Sequence, residues 1–128
     1  MILADYFQRH VEIEVAYIFG SMARGTESAL SDIDIAILID EGLINEDEYR
    51  YGYKAEIIAD LIKLLKTNNV DLVILNEANT LLRHRVLYHG KLIHSKNEKK
   101  RIAFQTSTID RYVDFKELIK PHLKTRRA

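Results

Sequence analysis

The chain has no cysteine, no tryptophan, one proline and only five glycines in 128 residues. Without cysteine there is no disulfide framework, no thiolate metal centre and no thiol nucleophile. The lone Pro121 and the scattered glycines leave no linker, low-complexity tract or internal repeat. No apolar run approaches the roughly 20 residues that a bilayer-spanning helix needs. The opening residues, Met1 to Asp5, lack a basic stretch ahead of an apolar one, which reads against a secretion signal. A cytoplasmic protein with no membrane association is therefore expected. Charge of one sign is missing too, because 19 Lys and Arg balance 19 Asp and Glu. Direct nucleic-acid binding is accordingly not expected.

What is present fits a single globular domain over residues 1–128, with 47% apolar and 30% charged residues. The charge is segregated: residues 1–80 carry 15 acidic against 6 basic side chains, and residues 81–128 carry 4 against 13. An acidic half can gather divalent cations, and the basic half can meet phosphates, RNA or an acidic protein face, or simply dock on the acidic half. Residues 2–9 read as a short amphipathic helix. Val11 to Phe19 reads as a strand with Val11, Ile13 and Val15 alternating against Glu12 and Glu14. Ser21 to Arg24 can form one helical turn closed by Gly25. Asp32 to Ile39 is the clearest strand, with isoleucines at 33, 35, 37 and 39 on one face. Asn45-Glu46-Asp47-Glu48 resembles an N-cap opening a helix to about Lys66. A strand over 70–75, a helix over 78–88, a short strand over 91–94 and a long helix over 97–120 complete the pattern. The fold class is α/β (α+β), a small mixed sheet flanked by helices.

The chemistry concentrates in Gly20-Ser21, followed after ten residues by Asp32-Ile33-Asp34, and later in Asp71. Aspartates two apart on a strand share a face, with Cα atoms roughly 6.5–7 Å apart. Carboxylates that close repel one another unless a cation lies between them, and burying them unpaired is costly. Oxygen donors without nearby His or Cys favour Mg²⁺ or Mn²⁺ over zinc. If the strand of Asp71 pairs beside that of Asp32 and Asp34, three carboxylates face one spot. Such a set suits two cations and in-line phosphoryl transfer, with Asp71 as general base. A strand ending in Gly20-Ser21 offers backbone N–H groups and a hydroxyl to phosphate, and Arg24 adds a guanidinium. No Gly-Lys-Ser/Thr follows, so this is not a P-loop.

The segments Gly20-Ser21-Met22-Ala23-Arg24-Gly25, Ser31-Asp32-Ile33-Asp34-Ile35-Ala36-Ile37-Leu38, Val70-Asp71-Leu72-Val73 and residues 82–93 resemble the minimal nucleotidyltransferases of the DNA polymerase β-like superfamily. Within it, the chain resembles the MNT antitoxins encoded beside HEPN ribonuclease toxins. The resemblance implies the nucleotidyltransferase fold, ATP as donor and two Mg²⁺ ions. It also implies transfer of one or more AMP units to a tyrosine hydroxyl of the cognate HEPN toxin, which blocks RNA cleavage. Two alternatives stand beside it: an antitoxin that works by binding alone, and a transferase for a small molecule or a nucleic-acid end.

Elsewhere the bland reading prevails. Arg83, His84 and Arg85 read as a solvated helix face, and the five histidines show no ligand spacing. Tyr49, Tyr51 and Tyr53 cluster where a lid could lie, but core packing or a partner interface is the expected role. The last helix carries an apolar stripe from Ile102 to Ile119 that can cover the sheet, and its length and basic flanks also suit a protein or RNA interface.

Overall fold

Two apolar strands lying side by side set the architecture. The computed structural model describes residues 2–20 and 32–126, with side chains through residue 120. Ile13–Phe19 (β1) and Ile33–Ile39 (β2) pair antiparallel, from Ile13 opposite Ile39 to Phe19 opposite Asp34. Val70–Ile74 (β3) adds in parallel to β2, and Lys91–Ser95 (β4) adds antiparallel to β1, giving the order β3-β2-β1-β4. The helices are Ile2–Arg9 (α1), Tyr53–Leu65 (α2), Thr80–His89 (α3) and Glu98–Arg126 (α4). The expected mixed sheet with flanking helices and a long final helix is thus present. No described helix is long and apolar enough to cross a membrane.

Both faces of the sheet are covered. On one face Ile35, Ile37, Ile39, Leu72 and Ile74 pack under Leu3 and Phe7 of α1 and Tyr53, Ile57 and Leu61 of α2. On the other, Val15, Tyr17, Phe19, Ala36 and Leu75 meet Val86 of α3 and Phe104 of α4. Each fully buried aliphatic or aromatic side chain contributes about 1.5–3 kcal/mol. The isoleucine face of β2 is therefore core, as its period of two requires.

Three expectations need correction. The strand begins at Ile13, and a bulge between Ile13 and Val15 puts these two residues in opposite layers. The simple alternation of Val11, Ile13 and Val15 fails because of this extra residue. Glu12 and Glu14 are consequently buried, at 7% exposure each. The expected helix from Asn45 is instead a single 3₁₀ turn, Glu46–Glu48, in which the Asn45 side chain accepts from the Asp47 N–H. Gly52, at φ +93°, then breaks the path before α2 starts. Glu46 still serves as a cap, its Oε2 accepting the Tyr53 N–H at 3.1 Å, with negative charge suited to a helix N-terminus. The last helix runs past Pro121 to Arg126 rather than stopping at 120. Proline removes one intrahelical N–H there, leaving the carbonyl of the exposed Glu117 to water.

The basic final helix does dock on acidic residues, through Lys100 Nζ at 2.7 Å from Glu14 Oε1 and 3.8 Å from Asp40 Oδ2. Glu12 is held differently: the Tyr53 hydroxyl donates to its Oε2 at 2.7 Å. Burial and this acceptor push the Tyr53 hydroxyl far above its ordinary range, so it remains a donor. Tyr53→Phe deletes that hydrogen bond while keeping the ring, and leaves a carboxylate that is 7% exposed without it. A stability loss of about 1.5–3 kcal/mol is expected, read as a lower urea midpoint at unchanged slope.

Candidate active site

The register of the sheet sets two of the predicted aspartates side by side. Asp34 lies opposite Phe19 of β1 and pairs in parallel register with Asp71 of β3. The Ile33 N–H also donates to the Asn69 carbonyl at 2.7 Å, anchoring the start of both parallel strands. Asp34 shares its face with Ala36, and Asp71 shares its face with Val73 and Leu75, on the α3/α4 side of the sheet. Asp32 sits one residue before β2 and is exposed, as is Asp71, whereas Asp34 is half-buried. Tyr53 belongs to the opposite layer, with Tyr49 packed edge-on against it at 5.3 Å. A tyrosine lid over the aspartates is thereby ruled out for both.

Gly20 fixes the approach of the first motif. It follows Phe19 at φ +77°, and a Cβ built there would collide with Asp34 Oδ2 and lie 3.2 Å from Asp34 Cγ. Only glycine lets the end of β1 turn while its backbone abuts this carboxylate. Ser21 and Arg24, expected to hold phosphate beside it, lie outside the described residues.

The electrostatics are those of a set of like charges. Burial pushes the Asp34 carboxyl above its usual range, and Asp71 and then Asp32 raise it further. Both other aspartates are thus near enough for their charge to be felt at Asp34. Among the described residues, none of the three forms a salt bridge. Nor are any three His, Asp or Glu side chains already gathered into an ion-holding cluster. The donor set, three carboxylates with no described basic partner, is one that an oxygen-seeking divalent cation fits.

A cleft at this end of the sheet is lined by Phe19, Gly20, Asp34, Arg85 and His89. The sequence reading puts Arg85 on a solvated helix face and gives His89 no ligand spacing, yet both border this cleft. Asn79 caps α3 by accepting the Leu82 N–H at 2.9 Å, and Val86 is wholly buried against the sheet. With the helix so fixed, Arg85 and His89, four residues apart, share the side that borders the cleft. Their helical spacing was visible in the sequence, but the location of α3 relative to Asp34 was not. Arg83 has a structural role: it donates to the Asn76 carbonyl at 3.0 Å and lies over the Phe104 ring.

The chain is similar to several known proteins. The model of the polymerase β nucleotidyltransferase family matches residues 2–99. The protein adenylyltransferase MntA of Shewanella oneidensis is 32% identical over 101 residues, which is 79% of this chain and 67% of that one. A crystal structure of a toxin–antitoxin with AMP-PNP matches with a TM-score of 0.74 at 28% identity, over 97% of this chain and 95% of the other. A tri-AMPylated Shewanella oneidensis HEPN toxin in complex with its MNT antitoxin matches in fold, with a TM-score of 0.68 at 24% identity, over 100% of both chains.

Proposed function

Because the chain belongs to the polymerase β nucleotidyltransferase family, we propose that it transfers AMP from ATP to a tyrosine hydroxyl of a cognate HEPN toxin and so neutralises it. The observation that carries this reading is the parallel pairing of Asp34 with Asp71 beside the Gly20 turn. The similarity to a protein adenylyltransferase favours a protein as acceptor over a small molecule or a nucleic-acid end. The whole chain acts as one nucleotidyltransferase domain, in the cytoplasm, where ATP is available.

In the reaction, the tyrosine oxygen attacks the α-phosphorus of ATP as the bond to pyrophosphate breaks, and pyrophosphate leaves with its electron pair. Asp71 takes the hydroxyl proton. Asp32, Asp34 and Asp71 hold two Mg²⁺ ions, or Mn²⁺ in their place, which when bound supply positive charge against the triphosphate and the leaving group. Gly20 and Ser21 present backbone N–H groups and a hydroxyl to phosphate oxygens, and Arg24 adds a charged contact. Arg85, on the opposite wall of the cleft, supplies positive charge from α3. The partner meets the outer face of α4, where Ile102, Ile109 and Val113 are 51–52% exposed.

Intact-protein mass spectrometry tests the reading. With ATP and Mg²⁺, a co-purified toxin should gain whole multiples of the mass of AMP and lose ribonuclease activity. Asp32→Ala/Asp34→Ala should abolish both changes while still binding the toxin. Protection by the double variant equal to wild type, with no adduct on either, would leave only neutralisation by binding.

A further inference from the structure

A second cleft adjoins the first. It lies between α3 and α4 and is lined by Leu81, His84, Arg85, Tyr88, His89, Tyr112 and Lys116, so Arg85 and His89 border both clefts. Its wall is a column of rings. His84 and Tyr112 stack with centroids 3.5 Å apart and planes within 9°, and Tyr88 lies 5.9 Å from His84 at 21°. Lys116 Nζ stands 5.4 Å from the Tyr112 centroid and closes the far end of the column. At the near end Tyr88 is 75% exposed, with the His89 ring 4.9 Å away and nearly perpendicular to it.

Aromatic faces alternating with cations are the chemistry that holds a nucleotide: the ring stacks on the base, and the cation meets the phosphate. An apolar side chain would not call for Arg85, His89 and Lys116 at the same cleft. A phosphate alone would not call for three aligned rings. We propose that the α3/α4 cleft is a second adenylate subsite, taking an AMP unit already joined to the acceptor and presenting it for another transfer. This rests on the AMP-transfer reading above. An acceptor that has received AMP carries ribose hydroxyls, which are themselves acceptors. With its base stacked on Tyr88 and its phosphate near Arg85, such a unit lies next to the cleft of Asp34 and Gly20. One ribose hydroxyl then attacks the α-phosphorus of a fresh ATP. A new P–O bond forms, the bond to pyrophosphate breaks, and the hydroxyl proton passes to the same base as in the first transfer.

The same chemistry would suit the adenine of the donor, and the test separates the two. Single-turnover transfer to the co-purified toxin, followed by intact mass, gives the ratio of second to first additions. Tyr88→Ala should lower that ratio roughly 5- to 150-fold, the effect of losing one base–ring stack, while Tyr88→Phe retains it. A matching slowing of both additions, with a raised KM for ATP, would assign the cleft to the donor and overturn the proposal. So would an unchanged ratio, or a wild type that stops at one AMP. Absence of any AMP on the toxin with wild type would instead defeat the function itself. A readout independent of turnover uses 5′-phosphorylated diadenylate without divalent cation. The chain has seven tyrosines and no tryptophan, so quenching of tyrosine emission reports binding directly. Weaker binding to Tyr88→Ala than to Tyr88→Phe is expected, and equal binding to both would overturn the assignment.

Discussion

Asp34→Asn is expected to lower AMP transfer by roughly a thousandfold or more, with a melting temperature equal to or above that of the wild type. The two effects have opposite signs because the same carboxylate serves chemistry and opposes folding. It is the half-buried member of the set, raised above its ordinary range by burial, by Asp71 and by Asp32. A raised carboxyl binds its proton more tightly in the folded chain than in the unfolded one. Its contribution therefore favours folding at low pH and is lost as pH rises from about 4 through the elevated folded value. Asparagine has no such titration. The stability difference between variant and wild type should grow in favour of the variant across that window and then level off. Added Mg²⁺ should raise the wild-type melting temperature and move that of Asp34→Asn less, since a ligand stabilises only the state that binds it. Initial rates by mass spectrometry and thermal melts over pH, with and without Mg²⁺, measure all of this. A variant that is both inactive and clearly less stable would mean that Asp34 is structural.

Gly20→Ala should damage both the fold and the site. A left-handed φ costs an alanine about 1–2 kcal/mol, and Gly20 sits at +77°. The added methyl would also occupy the position of Asp34 Oδ2. The carboxylate must swing away or the turn must open, and a displacement of order 1 Å at a reacting centre costs about a hundredfold in rate. A stability loss of about 1–2 kcal/mol with a rate loss of roughly a hundredfold is expected, from urea denaturation and single-turnover transfer. Full activity would show that the Gly20 turn and Asp34 need not touch during the reaction.

The parts of this site that were legible in the sequence are those with strict periodicity. Alternation on β2 places Asp34 opposite the isoleucines, and the apolar run after Asn69 announces a strand beginning near Asp71. Their pairing in register is a consequence of tertiary structure, foreseen only as a condition. The bulge after Ile13 was hidden, because an extra residue in a strand changes no residue type, only the face that each presents. Gly52 lies inside the helix expected from Asn45, and a glycine in a helical pattern is where such a helix can break. Arg85 and His89 were hidden for another reason. Helical spacing tells which residues share a side, whereas packing of Val86 on the sheet decides what that side faces.

The parallel joining of β2 to β3 has a bearing on how the chain comes to be active. Strands β1 and β2 follow one another in the sequence, but Asp34 meets Asp71 only after the polypeptide has travelled through α2 and back. Contacts of that sequence separation are slow to close. On the mechanism proposed above, a chain synthesised only as far as Asp34 still lacks the acid at Asp71, and competence waits for β3 to seat beside β2.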